Sequence, residues 1–341
     1  MPRASTVLVT GATGMLGSVL TRQLVSEEPS VRIFRRETSS LDLLGETTHR
    51  VEHAVGDLSD PRSLLQAMEA VDRVYHVAAK IGGQARDRAD LRATNVQGTA
   101  NVVNAALKAG VDRLVHTSSM AAFGRPARSG NVLDETAAWR DAPGGSDYAQ
   151  SKYDAELEVH RGIAEGLDAV IVNPALIFGV GRPGENTRRI VEAVRSGWLP
   201  AVPPGGTNVV DVEDVAAGLR AAMRQGETGE RYFLGSENLS WKEILGTLAG
   251  ALGRTPPRRT VPGWLLRATA TASEALAFLT RTDPLLPRSM AESAVRQRRY
   301  DNTKARTELG CTFRPFAATA RRIAGSIDDG PTAGADENVE I

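Results

Sequence analysis

The sequence predicts an α/β fold: a doubly wound parallel sheet (Rossmann-like) with a smaller, mostly helical C-terminal substrate lobe. Three observations carry that expectation. Short apolar runs at 7–9, 31–34, 51–55, 74–77, 114–116 and 169–172 alternate with stretches of helical periodicity. The first run leads into Gly11-Ala12-Thr13-Gly14-Met15-Leu16-Gly17, after which Leu16, Val19, Leu20 and Leu24 repeat at helical spacing. From Gly179 onward the alternation gives way to Pro- and Gly-rich segments and further helices.

The glycines in the first turn each have a distinct task. Gly11 permits the tight turn, Gly14 lets backbone approach a pyrophosphate, and Gly17 lets helix pack against strand. The helix that follows would aim its unpaired amides and positive dipole end at that phosphate. Thr13, Met15 and Leu16 are placed against the cofactor with them. A Gly-rich turn alone is weakly specific; its position between strand and helix is what points to a dinucleotide.

The second strand ends in Arg35-Arg36-Glu37-Thr38-Ser39-Ser40, where a dinucleotide fold meets the adenosine ribose. Guanidinium suits a 2′-phosphate, so the two arginines favour NADP, with NAD as the weaker alternative. Two solvated arginines are the bland alternative, and Glu37 is the dissenting residue. Asp57, followed by Leu58, is either an adenine contact or a turn residue before the next helix. The small residues of Ala78-Ala79-Lys80 leave room for a cofactor at the end of the fourth strand. A long helix is expected over about 90–109, carrying Asn95.

The fifth strand runs into Thr117-Ser118-Ser119, and Tyr148-Ala149-Gln150-Ser151-Lys152 opens a helix. Residues four apart share a helix face, so the Lys152 ammonium is expected to stabilise a Tyr148 phenolate and lower its pKa from about 10. Ser119 would then hold a substrate oxygen while Tyr148 gives or takes its proton. Asn95 is expected to anchor a water linking Lys152 to solvent. The sixth strand ends at Asn173-Pro174, with Ile177 beyond, and all three are placed on the cofactor wall. A return to the sheet is expected over 209–215, a strand at 232–234, and helices over 240–252, 264–279 and 289–299.

Together, the Gly11, Gly14 and Gly17 spacing, Asp57-Leu58, Asn95, Ser119 and Tyr148-x-x-x-Lys152 resemble the extended short-chain dehydrogenase/reductases, the epimerase/dehydratase superfamily. The Arg-bearing second strand and Asn173-Pro174-Ala175-Leu176 are similar to the dihydroflavonol-reductase-like and steroid-dehydrogenase-like branch. Tyr300-Asp301-Asn302-Thr303-Lys304-Ala305 resembles a C-terminal signature of the wider group. The resemblance implies that Tyr148 is the general acid/base, that Lys152 binds nicotinamide ribose and tunes Tyr148, and that Ser119 orients substrate. Dehydratases of this family carry an Asp-Glu pair after the serine; Met120, Ala121 and Ala122 stand here. Sugar-nucleotide epimerases carry an Arg where this chain has Thr207, although Arg182, Arg188 and Arg189 are substitutes in reach.

The expected activity is NADP(H)-dependent reduction of a ketone or aldehyde on a small hydrophobic substrate, or the reverse oxidation. A sugar epimerase using bound NAD and a non-catalytic dinucleotide sensor are the alternatives. The division expected is a dinucleotide-binding domain over 1–178, to which 207–235 return. A substrate lobe covers 179–206 and 236–327, and a disordered acidic tail covers 328–341.

Lys plus Arg and Asp plus Glu are both 41 in the 341 residues, which gives no support to a nucleic-acid partner. Cys311 is the single cysteine, so no disulfide forms within the chain and a reducing, cytoplasmic compartment is expected. The residues before the first strand leave no room for a signal peptide, and no apolar run approaches a transmembrane segment. His49 and His53 lack further ligands, so no metal is expected. The stripe Trp264, Leu265, Leu266, Leu276, Phe278 and Leu279, flanked by Arg258, Arg259, Arg267 and Arg281, is expected to pack within the lobe rather than lie on a membrane surface. A homodimer through the helices near 95–109 and 148–165 is what the resemblance implies.

Overall fold

The computed structural model describes residues 5–82, 87–124, 132–139, 146–197, 201–257, 259–280, 282, 284 and 286–328. Arg258, Arg281, the side chains of Phe278 and Leu279, and the acidic tail beyond Asp328 lie outside the described residues.

Strand β1 (Thr6–Thr10) feeds helix α1 (Met15–Val25), and β2 (Ser30–Arg35) and β3 (Glu52–Val55) follow. Helix α2 (Pro61–Ala67), with Asp60 as its N-cap and Pro61 in its first turn, leads to β4 (Arg73–His76). Next come α3 (Arg88–Leu91), a π-helical turn (Arg92–Gln97), α4 (Gly98–Ala109) and β5 (Arg113–Thr117). A 3-10 turn (Met120–Phe123) and the short β6 (Val132–Leu133) precede α5 (Asp147–Ala164), β7 (Ala169–Pro174) and β8 (Leu176–Phe178).

The chain continues through α6 (Asn186–Arg195), β9 (Gly206–Asp211), α7 (Val212–Gln225), β10 (Arg231–Leu234) and β11 (Glu237–Ser240). Helix α8 (Trp241–Ala251) opens with a full capping box between Ser240 and Glu243. It is followed by α9 (Gly263–Thr280), α10 (Arg288–Val295), β12 (Arg299–Tyr300), α11 (Thr303–Glu308) and α12 (Phe316–Asp328).

Seven parallel strands form the main sheet in the order β3-β2-β1-β4-β5-β7-β10. This is the doubly wound order, and its switch point lies between β1 and β4, where such sheets hold ligands. Strands β1 and β7 are buried along their whole length, as both-face coverage requires. One core packs Val7, Val9, Leu20, Val215 and Leu219 between the sheet, α1 and α7. A second packs Leu8, Leu64, Val102, Val103 and Val159 on the opposite face, under α2, α4 and α5. A third, built on Phe178, Val191, Val209, Leu248, Phe316 and Ile323, lies in the smaller lobe.

Several expectations are corrected. The segment at 206–211 does not rejoin the main sheet; β9 lies between β8 and β11 in a separate three-stranded sheet. Its apolar residues demand burial on both faces, which any central strand satisfies, and the partner strands decide which sheet that is. What rejoins the main sheet is β10, on its edge. The helix over 90–109 is interrupted by the π turn. The helix expected over 289–299 stops at Val295, and Arg299-Tyr300 pairs with Val132-Leu133 instead. Helices α11 and α12 were not anticipated. Trp264 (68 % exposed) and Leu276 (59 %) project to solvent, because α9 turns its small residues, Ala270 and Ala277, inward. No described helix is long and apolar enough to cross a membrane.

The glycines give a clean test of packing. A Cβ on Gly17 would stand 2.0 Å from the Gly11 carbonyl oxygen, whereas one on Gly246, inside α8, would meet nothing within 4 Å. Gly17→Ala should therefore destabilise by at least about 1–3 kcal/mol. Gly246→Ala should stabilise by about 0.5–1 kcal/mol through helix propensity. Urea unfolding of both variants measures the contrast.

Candidate active site

The β1–α1 turn is closed on two sides and open on one. A Cβ on Gly11, whose φ is +70°, would lie 2.6 Å from the Ala78 amide nitrogen, so the β1 and β4 ends touch backbone to backbone. A Cβ on Gly14 would meet only the Gly11 oxygen, at 3.5 Å. Gly14 is thus the open face, and the first-turn amides of α1, which have no partner within the helix, lie beside it. Thr13 and Met15 are half-buried, but the Leu16 side chain belongs to the core, leaving only its amide for a ligand. Ile177 is half-buried in β8 with its carbonyl taken by Thr187, and Pro174 is buried at the end of β7. These residues fit a dinucleotide's pyrophosphate.

At the adenosine end the two arginines part company. Arg35 Nε donates to His53 Nδ1 (3.0 Å) and its Nη1 to the Arg36 carbonyl (3.1 Å), while Arg36 is exposed. Asp57 is a turn residue: its Oδ1 accepts the Ser59 amide (2.9 Å) and hydroxyl (2.7 Å). Those bonds, with Arg36 adding its charge, hold the Asp57 carboxyl below its usual range. Leu58 packs toward Gly98, and its carbonyl accepts Asn101 Nδ2 (2.8 Å). Arg182, from the loop after β8, donates to the Ser40 carbonyl (3.0 Å), so a third guanidinium reaches the same loop.

Asn95 makes three direct side-chain hydrogen bonds. Its Oδ1 accepts the Lys80 amide (2.7 Å), and its Nδ2 donates to the Lys80 carbonyl (2.9 Å) and Ser151 Oγ (2.9 Å). With both Nδ2 hydrogens and one Oδ1 lone pair engaged, this buried amide clamps the segment after β4 and ties it to α5. The π turn turns Asn95 inward, in keeping with π-bulges at functional sites. The clamp fixes Ala78 and Ala79 along the cleft. The Lys80 side chain turns away to Asp90 (2.5 Å).

Ser119 and Tyr148 meet. Ser119 Oγ accepts the Ala121 amide (3.2 Å) and lies close enough to the Tyr148 phenol to act on its pKa. Burial pushes the phenol pKa up, and Ser119 works against that. The expected depression by Lys152 is not what dominates here: Lys152, 1 % exposed, donates its Nζ to the Thr117 carbonyl (2.8 Å). Burial brings the Lys152 ammonium down to about 8, with Glu156 pulling it back up. Beneath it lie two buried histidines. His76 Nδ1 bonds Thr10 Oγ1 (2.8 Å) and its Nε2 bonds Thr99 Oγ1 (3.0 Å); His116, 5.2 Å away between ring centres, has both nitrogens unpaired among the described residues.

Glu156 was missed from sequence. It accepts Ser118 Oγ (2.5 Å) and Asn173 Nδ2 (2.6 Å), and Asn173 Nδ2 also reaches the Ser119 carbonyl (3.0 Å). The available signal was its spacing: Tyr148, Lys152 and Glu156 recur every four residues on one face of α5. Thr207 Oγ1 contacts Met120 Sδ (3.7 Å), so the two positions singled out by the resemblance meet as a neutral pair. Arg188 is paired with Glu192 (3.0 Å), and Arg182 is occupied as described.

The family model for the NAD dependent epimerase/dehydratase family matches residues 7–235. A provisionally named dihydroflavonol 4-reductase of Synechocystis sp. is 36 % identical over 95 % of this chain and 94 % of its own. Sterol demethylase protein B of Methylococcus capsulatus is 36 % identical over 89 % and 93 %. The crystal structure of gox2253 superposes with a TM-score of 0.83 at 33 % identity, covering 96 % of this chain and 99 % of that one.

The histidines make stability pH-dependent. Burial lowers His76 to about 3 and His116 well below its ordinary 6.5, Lys152 adding to both. Below about 6.5 the unfolded chain therefore binds protons that the fold refuses, and stability falls as pH drops. The expected slope is about 1 kcal/mol per pH unit for each histidine. His116→Leu, which removes an unpaired imidazole, should roughly halve the loss between pH 6.5 and 5 in urea titrations.

Proposed function

The chain belongs to the NAD-dependent epimerase/dehydratase family and is an NAD(P)-dependent oxidoreductase of the extended short-chain type; from that premise we propose that it reduces a ketone or aldehyde on a hydrophobic substrate with NADPH. The observation that carries the reading is the nearness of Ser119 to Tyr148, with buried Lys152 one turn further along α5. When bound at the β1–α1 turn, the cofactor would supply hydride. Ser119 orients the substrate oxygen, and Tyr148 delivers its proton to that oxygen as charge develops there. Lys152 supplies a positive charge beside the phenol and hydrogen bonds for a ribose. Asn95 and Asn173 keep the strand ends on which these groups sit from shifting.

The hydrophobic substrate is supported by the Thr207–Met120 contact, which is neutral at both positions. The Synechocystis and Methylococcus relatives are named for dihydroflavonol reduction and sterol demethylation, not for nucleotide sugars. NADPH is supported by exposed Arg36 and by Arg182 across the same loop. Each charge-assisted hydrogen bond to a 2′-phosphate would be worth about 1.5–3 kcal/mol before desolvation.

Tyr148→Phe should cut turnover by about 100-fold or more while leaving NADPH affinity nearly unchanged, because only the transferable proton is lost. A screen of hydrophobic ketones and nucleotide sugars, followed by chromatography, tests the substrate class: reduction of the former is expected, and epimerisation of the latter would reverse the reading. Fluorescence titration should show NADPH binding more tightly than NADH, and Arg36→Ala should remove the difference.

A further inference from the structure

We propose that Glu156 is the positioning residue of this site: its buried carboxylate is the counter-charge that keeps Lys152 an ammonium ion and the post to which the Ser118–Ser119 strand end is tied. The inference rests on the proposed roles of Tyr148 and Lys152 and deepens them.

Lys152 is almost fully buried, yet its described hydrogen bond is to one neutral carbonyl, that of Thr117. An ammonium ion so placed has lost its water and needs a charge nearby to remain charged. Titratable groups lie on the elements beside it, among the described residues. From β4 and β5 come His76 and His116, both held neutral; from α5 come the Tyr148 phenol and the Glu156 carboxylate. Glu156 is therefore the charge that offsets the desolvation of Lys152.

Glu156 is itself 2 % exposed, and its partners settle its second task. Ser118 (2.5 Å) and Asn173 (2.6 Å) are much closer than Arg231 Nη1 at 3.5 Å. Arg231 shares the carboxylate as an ion pair through Nη1, while its Nη2 donates to the Glu135 and Ala137 carbonyls and its guanidinium lies over Phe123. The carboxylate thus spends its short bonds on β5 and β7, and Asn173 passes the restraint to the Ser119 carbonyl (3.0 Å). One side chain on α5 holds both the charge of Lys152 and the place of Ser119 relative to Tyr148.

The test reads Lys152 directly, without turnover. The chain has five lysines, so protein labelled with 13C at lysine Cε gives few resonances, and Lys152→Met identifies the one required. In the parent protein that resonance should titrate near pH 8. In Glu156→Gln, which preserves shape and removes charge, the midpoint should fall by about one pH unit or more. Glu156→Asp should lie between the two. The alkaline limb of ketone reduction should move in the same order, which a role in packing alone would not produce.

An unmoved Lys152 midpoint in Glu156→Gln, shown folded by circular dichroism, would overturn the proposal. If Glu156→Gln does not fold, an unmoved midpoint in Glu156→Asp does so. A shifted midpoint with turnover untouched by Tyr148→Phe would leave Glu156 as the counter-charge and sink the catalytic reading instead. Loss of turnover in Tyr148→Phe with no shift in Lys152 would do the reverse.

Discussion

The approach of three backbone segments at the sheet's switch point is the constraint on which the rest of this structure depends. Gly17 touches the Gly11 carbonyl, and Gly11 touches the Ala78 amide, with no room for a side chain at either contact. These contacts set how close α1 lies to β1 and how close β1 lies to the end of β4. They leave Gly14 as the open face of the turn, so a phosphate-sized group and the helix's unpaired amides share one place. Everything further along the cleft is measured from there, including the Lys80 segment that Asn95 clamps.

A second constraint follows from burying polar chemistry at the centre of the sheet. The ends of β4, β5 and β7 carry His76, His116, Ser118 and Asn173, and α5 lays Lys152 and Glu156 across them. In a low dielectric each such group needs a partner, and most have one: Thr10 and Thr99 for His76, Glu156 for Ser118 and Asn173. The exceptions are informative. His116, Thr117 Oγ1 and Asn173 Oδ1 lack partners among the described residues, on the strand ends beside the proposed chemistry.

The smaller lobe is held to this machinery by charge as much as by apolar packing. Asp211, fully buried at the end of β9, is gripped by Arg322 (2.9 Å) from α12, and Asp214 takes Arg314 (2.8 Å). Asn238 joins both the amide and the carbonyl of Tyr300, while β12 pairs with β6 from the segment before α5. Removing one member of such a pair leaves a buried charge uncompensated, so the last part of the chain laces the two lobes together. The neutral Thr207–Met120 contact joins residues from both halves of the sequence.

The sequence by itself determined what local chemistry determines. Strand and helix alternation, the glycine spacing and the Tyr148–Lys152 pair are read within one element or one turn, because steric freedom and helical periodicity act over a few residues. Tertiary structure decided what depends on partners distant in the chain. Val209 reads as a buried strand residue in any sheet, and only β8 and β11 assign β9 to the small one. Asn95 is one polar residue on a helix in the sequence, and only the fold shows it tying Lys80 to Ser151. Arg35 and Arg36 look equivalent until His53, from the neighbouring β3, claims one of them. Glu156 looks like one more helix-face acid; Ser118 and Asn173, from two different strands, make it the centre of the site's polar network. Hydrogen bonds and charges act over ångströms in space, and the chain places those ångströms only once it has folded.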